Sequence, residues 1–137
     1  MSAVEKVEDL VGEEINMVCF VMDYLELRFN GPILRALVAA VLETPTERWV
    51  FPEPGSREAM CGLIGATVID VGVDDTRSVQ LRCDNRMVFT IPFDVANRAH
   101  SEAAHFVPGD NLPMAVGSWH SAMRGEIGQI LGMQRNA

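Results

Sequence analysis

Three consecutive segments in the second half of the chain place large apolar residues at every second position, and no other feature constrains the fold as much. Ile69, Val71 and Val73 alternate with Asp70 and Gly72 up to a turn at residues 74–78. Val79, Leu81 and Cys83 then alternate with Gln80 and Arg82 up to Asp84-Asn85-Arg86. Met87, Phe89, Ile91 and Phe93 alternate in turn with Val88, Thr90 and Pro92. A period of two sends successive side chains to opposite faces of a strand. The pattern therefore predicts an antiparallel three-strand meander, packed on one face and wet on the other. Pro92 has no backbone N–H, so it fits only the end or edge of its strand.

Upstream, Met17 to Met22 reads as a buried strand. From Asp23 to Phe29, Leu25, Leu27 and Phe29 fall on one face and Tyr24, Glu26 and Arg28 on the other. Asn30-Gly31 signals a hairpin, but Pro32 cannot donate back across a two-residue turn, so a wider loop is expected. The apolar run Ile33 to Leu42 fits a helical period as well as a strand, and its strand-rich surroundings favour strand. Residues 43–56 hold Pro45, Pro52, Pro54 and Gly55 and form the main loop, with Thr44-Pro45-Thr46-Glu47 spelling a capping box for at most one helical turn. A helix over 56–65 follows, with Ser56 as cap, Glu58 in the first turn, Gly65 closing it, and Met60, Leu63 and Ile64 as the buried stripe.

Toward the end, Val95, Ala99, Ala103 and Phe106 fit a short helix, with Asn97 to Ser101 equally consistent with a loop; Leu112 to Trp119 predict an edge strand, and Trp119, Met123, Ile127 and Leu131 a terminal helix weakened by three glycines. At the other end, Val4, Val7, Leu10 and Val11 recur at helical spacing opposite a row of acids, which predicts an acidic helix over about residues 3–13 that docks on its own domain. No internal repeat stands out. The expectation is one α+β domain spanning 1–137, with an antiparallel sheet of five or six strands and a central helix at 56–65. Both termini are expected to be helical, an acidic arm over 1–13 and a frayed helix over 120–137.

Eleven Lys and Arg against nineteen Asp and Glu give a net charge of −8. Residues 1–26 hold seven acids and only Lys6 as a base, a net of −6 that leaves −2 for the remaining 111 residues. Such a chain lacks the basic face that a phosphate-backbone binder needs, so nucleic acid is not an expected partner. No apolar run approaches the roughly 20 residues that span a bilayer, and the acidic N-terminus lacks the basic region of a signal peptide; a cytoplasmic protein without membrane association is expected. Cys19, Cys61 and Cys83 are odd in number and scattered among apolar residues, which predicts reduced, buried thiols.

Reactive constellations are hard to find. His100 and His105 stand five residues apart, about 140° around a helix, where zinc-protease histidines need a spacing of four. Ser118-Trp119-His120 brings a Ser near a His in sequence only, no Gly-x-Ser-x-Gly elbow occurs, and a Cys–His dyad would need the fold to assemble it. The pairs Asp74-Asp75 and Glu13-Glu14 fit a turn and a helix end, and no glycine-rich phosphate loop is present. No metal or cofactor is expected. One alternative is a small-ligand site or minor enzyme in a pocket between sheet and helix, near His100, His105 and His120. The leading expectation is a non-enzymatic interaction surface: the acids Glu5, Glu8, Asp9, Glu13 and Glu14 with exposed aromatics such as Trp49 and Phe51, facing a basic protein partner. A homodimer formed through an edge strand or a docked terminal helix is a further expectation.

The runs Met22-Asp23-Tyr24-Leu25-Glu26-Leu27-Arg28-Phe29-Asn30-Gly31-Pro32 and Phe51-Pro52-Glu53-Pro54-Gly55-Ser56-Arg57-Glu58-Ala59, with Leu63-Ile64-Gly65 and Glu102-Ala103-Ala104-His105-Phe106, resemble those of a group of small uncharacterised actinobacterial proteins. The resemblance covers about residues 16–120 and brings no established activity with it. Some acidic proteins of this size are immunity proteins that neutralise a toxin, an analogy of size and charge only.

Overall fold

The computed structural model describes residues 4–93, 102–109 and 117–120. After a 3-10 turn at Val7–Leu10, the strands are β1 (Met17–Val21), β2 (Tyr24–Arg28), β3 (Ile33–Ala36), β4 (Val41–Glu43) and β5 (Arg48–Val50). The helix α1 (Ser56–Met60) leads through a 3-10 turn at Cys61–Leu63 to β6 (Val68–Asp74), β7 (Ser78–Cys83) and β8 (Val88–Pro92). The last strands are β9 (Glu102–Val107) and β10 (Gly117–His120). The predicted meander is present as β6-β7-β8, with Val79, Leu81, Phe89 and Ile91 buried and Pro92 at the end of its strand.

The single sheet expected from sequence is instead two antiparallel sheets of five strands, ordered β1-β2-β3-β9-β10 and β5-β4-β8-β7-β6. They share one core, since Leu25, Leu27, Leu34 and Phe106 of the first belong to the same buried cluster as Leu42, Leu81, Phe89 and Ile91 of the second. The division arises inside the run Ile33 to Leu42. It is extended, as preferred, but broken: β3 stays in the first sheet, residues 37–40 cross over, and β4 enters the second. The crossing is tied at both ends, Leu37 N–H donating to the Ala103 carbonyl at 2.8 Å and Phe51 N–H to the Ala40 carbonyl at 2.9 Å.

The strand order contains a repeat that the sequence hides. The meander β1-β2-β3 builds one sheet and the hairpin β4-β5 that follows joins the other; β6-β7-β8 builds the second and the hairpin β9-β10 joins the first. Two five-strand halves thus exchange their terminal hairpins. The hairpin loops correspond: Arg28 pairs with Ile33 and Leu27 with Leu34 in one half, as Arg82 pairs with Val88 and Leu81 with Phe89 in the other.

Several local expectations need correction. The run Met17 to Met22 is an edge strand and is not buried: Val18 and Phe20 pack on the core, whereas Met17 is exposed and Met22 is 87% exposed in the two-residue turn to β2. The loop at Pro32 is the wider one expected, closed by Phe29 N–H donating to the Pro32 carbonyl. The Thr44 motif caps a β-hairpin turn and no helix, its Oγ1 accepting from the Glu47 and Thr46 N–H groups, and β5 follows where a loop was expected. The helix has five α-helical residues before tightening to 3-10, because Gly65 at φ +91° ends it and Ile64 faces solvent. Its N-cap is Gly55 at φ +85°, in a place where an added Cβ would meet the Trp49 ring at 2.9 Å. Ser56, proposed as the cap, is buried with its Oγ unpartnered among the described residues.

Ala103 and Phe106, assigned to a helix, lie in β9, where pairing with β3 on one side and β10 on the other overrides the weak strand preference of alanine. The acidic helix over 3–13 shrinks to the four-residue 3-10 turn. Its stripe does dock on its own domain, with Val7 and Leu10 in the core. Beyond Gly12 the arm runs antiparallel to the start of β6, and Asn16 then donates to the Arg28 carbonyl, so the segment bridges both sheets. β10 supplies the late edge strand; the terminal helix expected over 120–137 lies outside the described residues, apart from His120 in β10.

Because one core serves both sheets, Leu34→Ala and Phe89→Ala should each cost about 2–5 kcal/mol while preserving a single cooperative transition. Urea unfolding followed by far-UV circular dichroism and by tryptophan fluorescence checks this, with coincident curves expected for both variants.

Candidate functional site

The acidic arm is the first charged surface. The 3-10 turn is held by its own acid, Asp9 Oδ2 accepting from the Glu5 and Lys6 N–H groups at 3.0 and 3.2 Å. Main-chain bonds at Gly12, Glu13 and Ile15 to the strand opposite fix the arm's position. Glu5, Glu8, Asp9 and Glu13 then line one open concavity of about 600 Å³ together with Val4, Lys6 and Val11. Val11 is half exposed within it. Glu14 is not part of this lining; it faces solvent and bridges to Thr67.

The aromatics expected beside these acids sit elsewhere. Phe51 is fully buried, stacked on Phe20 at 5.7 Å between ring centroids, with the Arg57 guanidinium 5.0 Å above its ring. Its assignment as an exposed aromatic is therefore corrected: the residue after β5 turns inward over the core. Trp49 is half-buried against Gly55.

The second surface lies on the outer face of the first sheet, and only part of it was singled out from sequence. Cross-strand pairing sets Cys19, Glu26, Arg35, His105 and Ser118 in one row across all five strands. Glu26 is only 4% exposed although it lies on the side away from the core. Its Oε1 accepts from Arg28 Nε and Nη2 at 3.0 and 2.7 Å, and its Oε2 accepts from Arg35 Nε at 2.7 Å. Burial pushes the Glu26 carboxyl up, but hydrogen bonds and charge from Arg35 and then Arg28 outweigh it and hold the group below its ordinary value of 4.5. Arg35 Nη1 lies 3.3 Å from His105 Nδ1. The sequence signal for Arg35 was legible in retrospect, as the lone charge within the apolar run Ile33 to Leu42.

The histidines do not meet the helix. α1 packs on β4 and β5 of the second sheet, whereas His105 belongs to the first. The pairing register sets His120 opposite Glu102 and His105 opposite Ser118, and His100 lies outside the described residues. Cys19 and His105 are three strands apart in the row, about 14 Å at ordinary strand spacing, so they form no nucleophilic dyad. Cys83 is buried, and burial followed by the charge of Asp84 pushes its thiol up to about 11. Of the thiols expected to be buried, Cys61 is exposed at the helix end and Cys19 half-buried on its edge strand. Among the described residues no group of three His, Cys, Asp or Glu is placed to hold a metal ion, and no helix is long and apolar enough to cross a membrane.

Comparison with protein-family models, with curated proteins and with solved structures gave no match to this chain.

Glu26 carries a measurable pH signature. A carboxyl depressed in the folded state stabilises above its unfolded value and loses that contribution as pH falls through the folded one. Glu26→Gln should cost about 1–3 kcal/mol at pH 7, and the gap from wild type should close as the pH drops below 4.5, measured by urea unfolding at stepped pH. Thiol labelling of the native protein at pH 8 should modify Cys61 first, then Cys19, and reach Cys83 only on unfolding, as read by peptide mass spectrometry.

Proposed function

We propose that this chain is a non-catalytic interaction module whose N-terminal arm receives a basic segment of another protein. The concavity lined by Glu5, Glu8, Asp9 and Glu13 around Val4 and Val11 carries the reading. A mainly polar concavity in which four carboxylates outnumber the single cation Lys6 suits lysine or arginine side chains, whose stems can lie along Val4 and Val11. Such surfaces raise encounter rates and select partners by charge, and their effect weakens in salt. The backbone of the arm is held by its bonds to β6 and by Asp9, whose carboxylate closes the turn, and this supports a stable display of the acids. Immunity-like neutralisation of a basic protein and regulation of one both belong to this class.

A decameric lysine peptide labelled with a fluorophore supplies the test. Binding to the full chain should weaken steeply with added salt, and the triple substitution Glu5→Gln, Glu8→Gln, Glu13→Gln should reduce affinity about tenfold, three rim charges contributing a few tenths to one kcal/mol each. A glutamate decamer should not bind. Equal affinity of the triple variant and wild type would defeat the proposal.

A further inference from the structure

We infer that β1 is the joint of a homodimer, two copies of this chain pairing antiparallel along their β1 edges about a two-fold axis at Cys19. This is independent of the acidic arm. The four sheet edges differ in a way that singles out β1. A free edge invites pairing with another chain, and proteins ordinarily blunt it by shortness, charge, a bulge or a cover. The edge strand β5 has three residues and opens with Arg48. The edge strand β6 carries Asp70 and Asp74, shifts register between Val68 and Asp70, and has the arm bonded to its start. The edge strand β10 has four residues and shifts register between Trp119 and His120. None of these devices protects β1. Met17-Val18-Cys19-Phe20-Val21 holds five uncharged residues in unbroken register with β2, and no strand among the described residues pairs on its other side.

The hydrogen-bonding phase of the strand fixes where a second copy fits. The two-residue turn Met22-Asp23 makes Val21 and Tyr24 a hydrogen-bonded pair, so Val21, Cys19 and Met17 turn their N–H and C=O groups toward β2. Those of Val18 and Phe20 point out of the sheet edge, and neither residue has a main-chain bond beyond its own hairpin among the described residues. A two-fold that respects this phase and uses the whole strand centres on Cys19. It sets Val18 opposite Phe20 of the second copy in a hydrogen-bonded pair, and Met17 opposite Val21 of the second copy. Cys19 then meets its own counterpart in a non-hydrogen-bonded pair, with Cα atoms about 4.5 Å apart.

The side chains select a second copy as the occupant. On the core side, Val18 and Phe20 pack against the buried cluster but stay only half-buried, and pairing each with the other across the joint covers both with an aromatic–aliphatic contact. Met17 and Met22, two of the five large apolar side chains exposed among the described residues, stand at the two ends of this strand. An uncharged strand gives a foreign partner nothing to select by charge, whereas its own copy matches it along its length. The charges flanking its ends are opposite in sign, Arg28 across from Met17 and Asp23 just after Val21. The two-fold sets the Arg28 end of each copy beside the Asp23 end of the other.

Sedimentation equilibrium of the full chain up to millimolar concentration supplies the test. A reversible monomer–dimer equilibrium is expected, and because each copy carries −8 it should tighten with added sodium chloride, the opposite of the arm's response. Mild oxidation with copper phenanthroline should join Cys19 to its counterpart in preference to the more exposed Cys61, as read by peptide mass spectrometry, since the Cα separation lies within disulfide reach. Val18→Pro removes one outward N–H per copy, half of the hydrogen bonds of the joint, and leaves those to β2. Cys19→Lys sets like charges opposite each other. Each should raise the dissociation constant about tenfold. Cys19→Ser should dimerise as wild type without the cross-link. A chain that is monomeric at every concentration, a dimer whose cross-links avoid Cys19, or folded Val18→Pro and Cys19→Lys variants as dimeric as wild type would overturn the assignment. So would Val18 and Phe20 amides equally protected from hydrogen exchange at every concentration, which would mark this edge as covered by the chain's own residues.

Discussion

The exchange of hairpins between the two halves is the constraint on which the rest depends. β4-β5 completes the sheet begun by β6-β7-β8, and β9-β10 completes the sheet begun by β1-β2-β3, so neither sheet reaches five strands within its own half of the chain. The crossing segment at 37–40 is bonded to β9 on one side and to the end of β5 on the other, which couples the two exchanges directly. Contacts of this kind are long-range in sequence and close only when both halves are present. The arm adds a third tie, bonded to β6 before it turns into β1. Its charges stand on backbone bonded to β6, and the Glu26 cluster stands on strands paired on both sides.

Electrostatically the two surfaces obey different rules. The acids of the arm are exposed or half-exposed, so the field they set up is screened by salt. In the Glu26 cluster the carboxylate is buried beneath two partly exposed arginines and its hydrogen bonds are charge-assisted, so salt screens them less. Net charge describes the first surface well and the second not at all. A count of −8 gives no hint that two guanidiniums converge on one face.

Legibility in the sequence tracked how locally each element is determined. β6-β7-β8 was readable because alternation, turn residues and Pro92 all agree within 25 residues, and the structure keeps every strand of it. β9 was misread because Ala103-Ala104 has little strand preference of its own and becomes a strand through β3, some 70 residues away. The second sheet went unseen because a four-residue crossing leaves no mark in an apolar run. Phe51 was assigned to the surface on its proline-rich surroundings, whereas its neighbour in space is Phe20 from another hairpin. Glu26 and Arg28 were assigned to the polar face of β2, where they lie, but pairing alone brings Arg35 and His105 beside them.

The duplicated plan separates what the fold demands from what it permits. On the inner face both halves obey one rule: Leu27 opposite Leu34 and Leu81 opposite Phe89 fill the shared core, and no polar residue occupies either pair. On the outer face the halves diverge, with Gln80 and Thr90 where the first has Glu26 and Arg35. Packing explains the agreement, since an apolar layer between two sheets tolerates little else. It does not explain the divergence, because Gln80-Thr90 satisfies the same strand positions without burying a charge. The difference between the two copies is confined to the face that the core does not touch. It places the chemical distinctiveness of this chain on β2, β3 and β9.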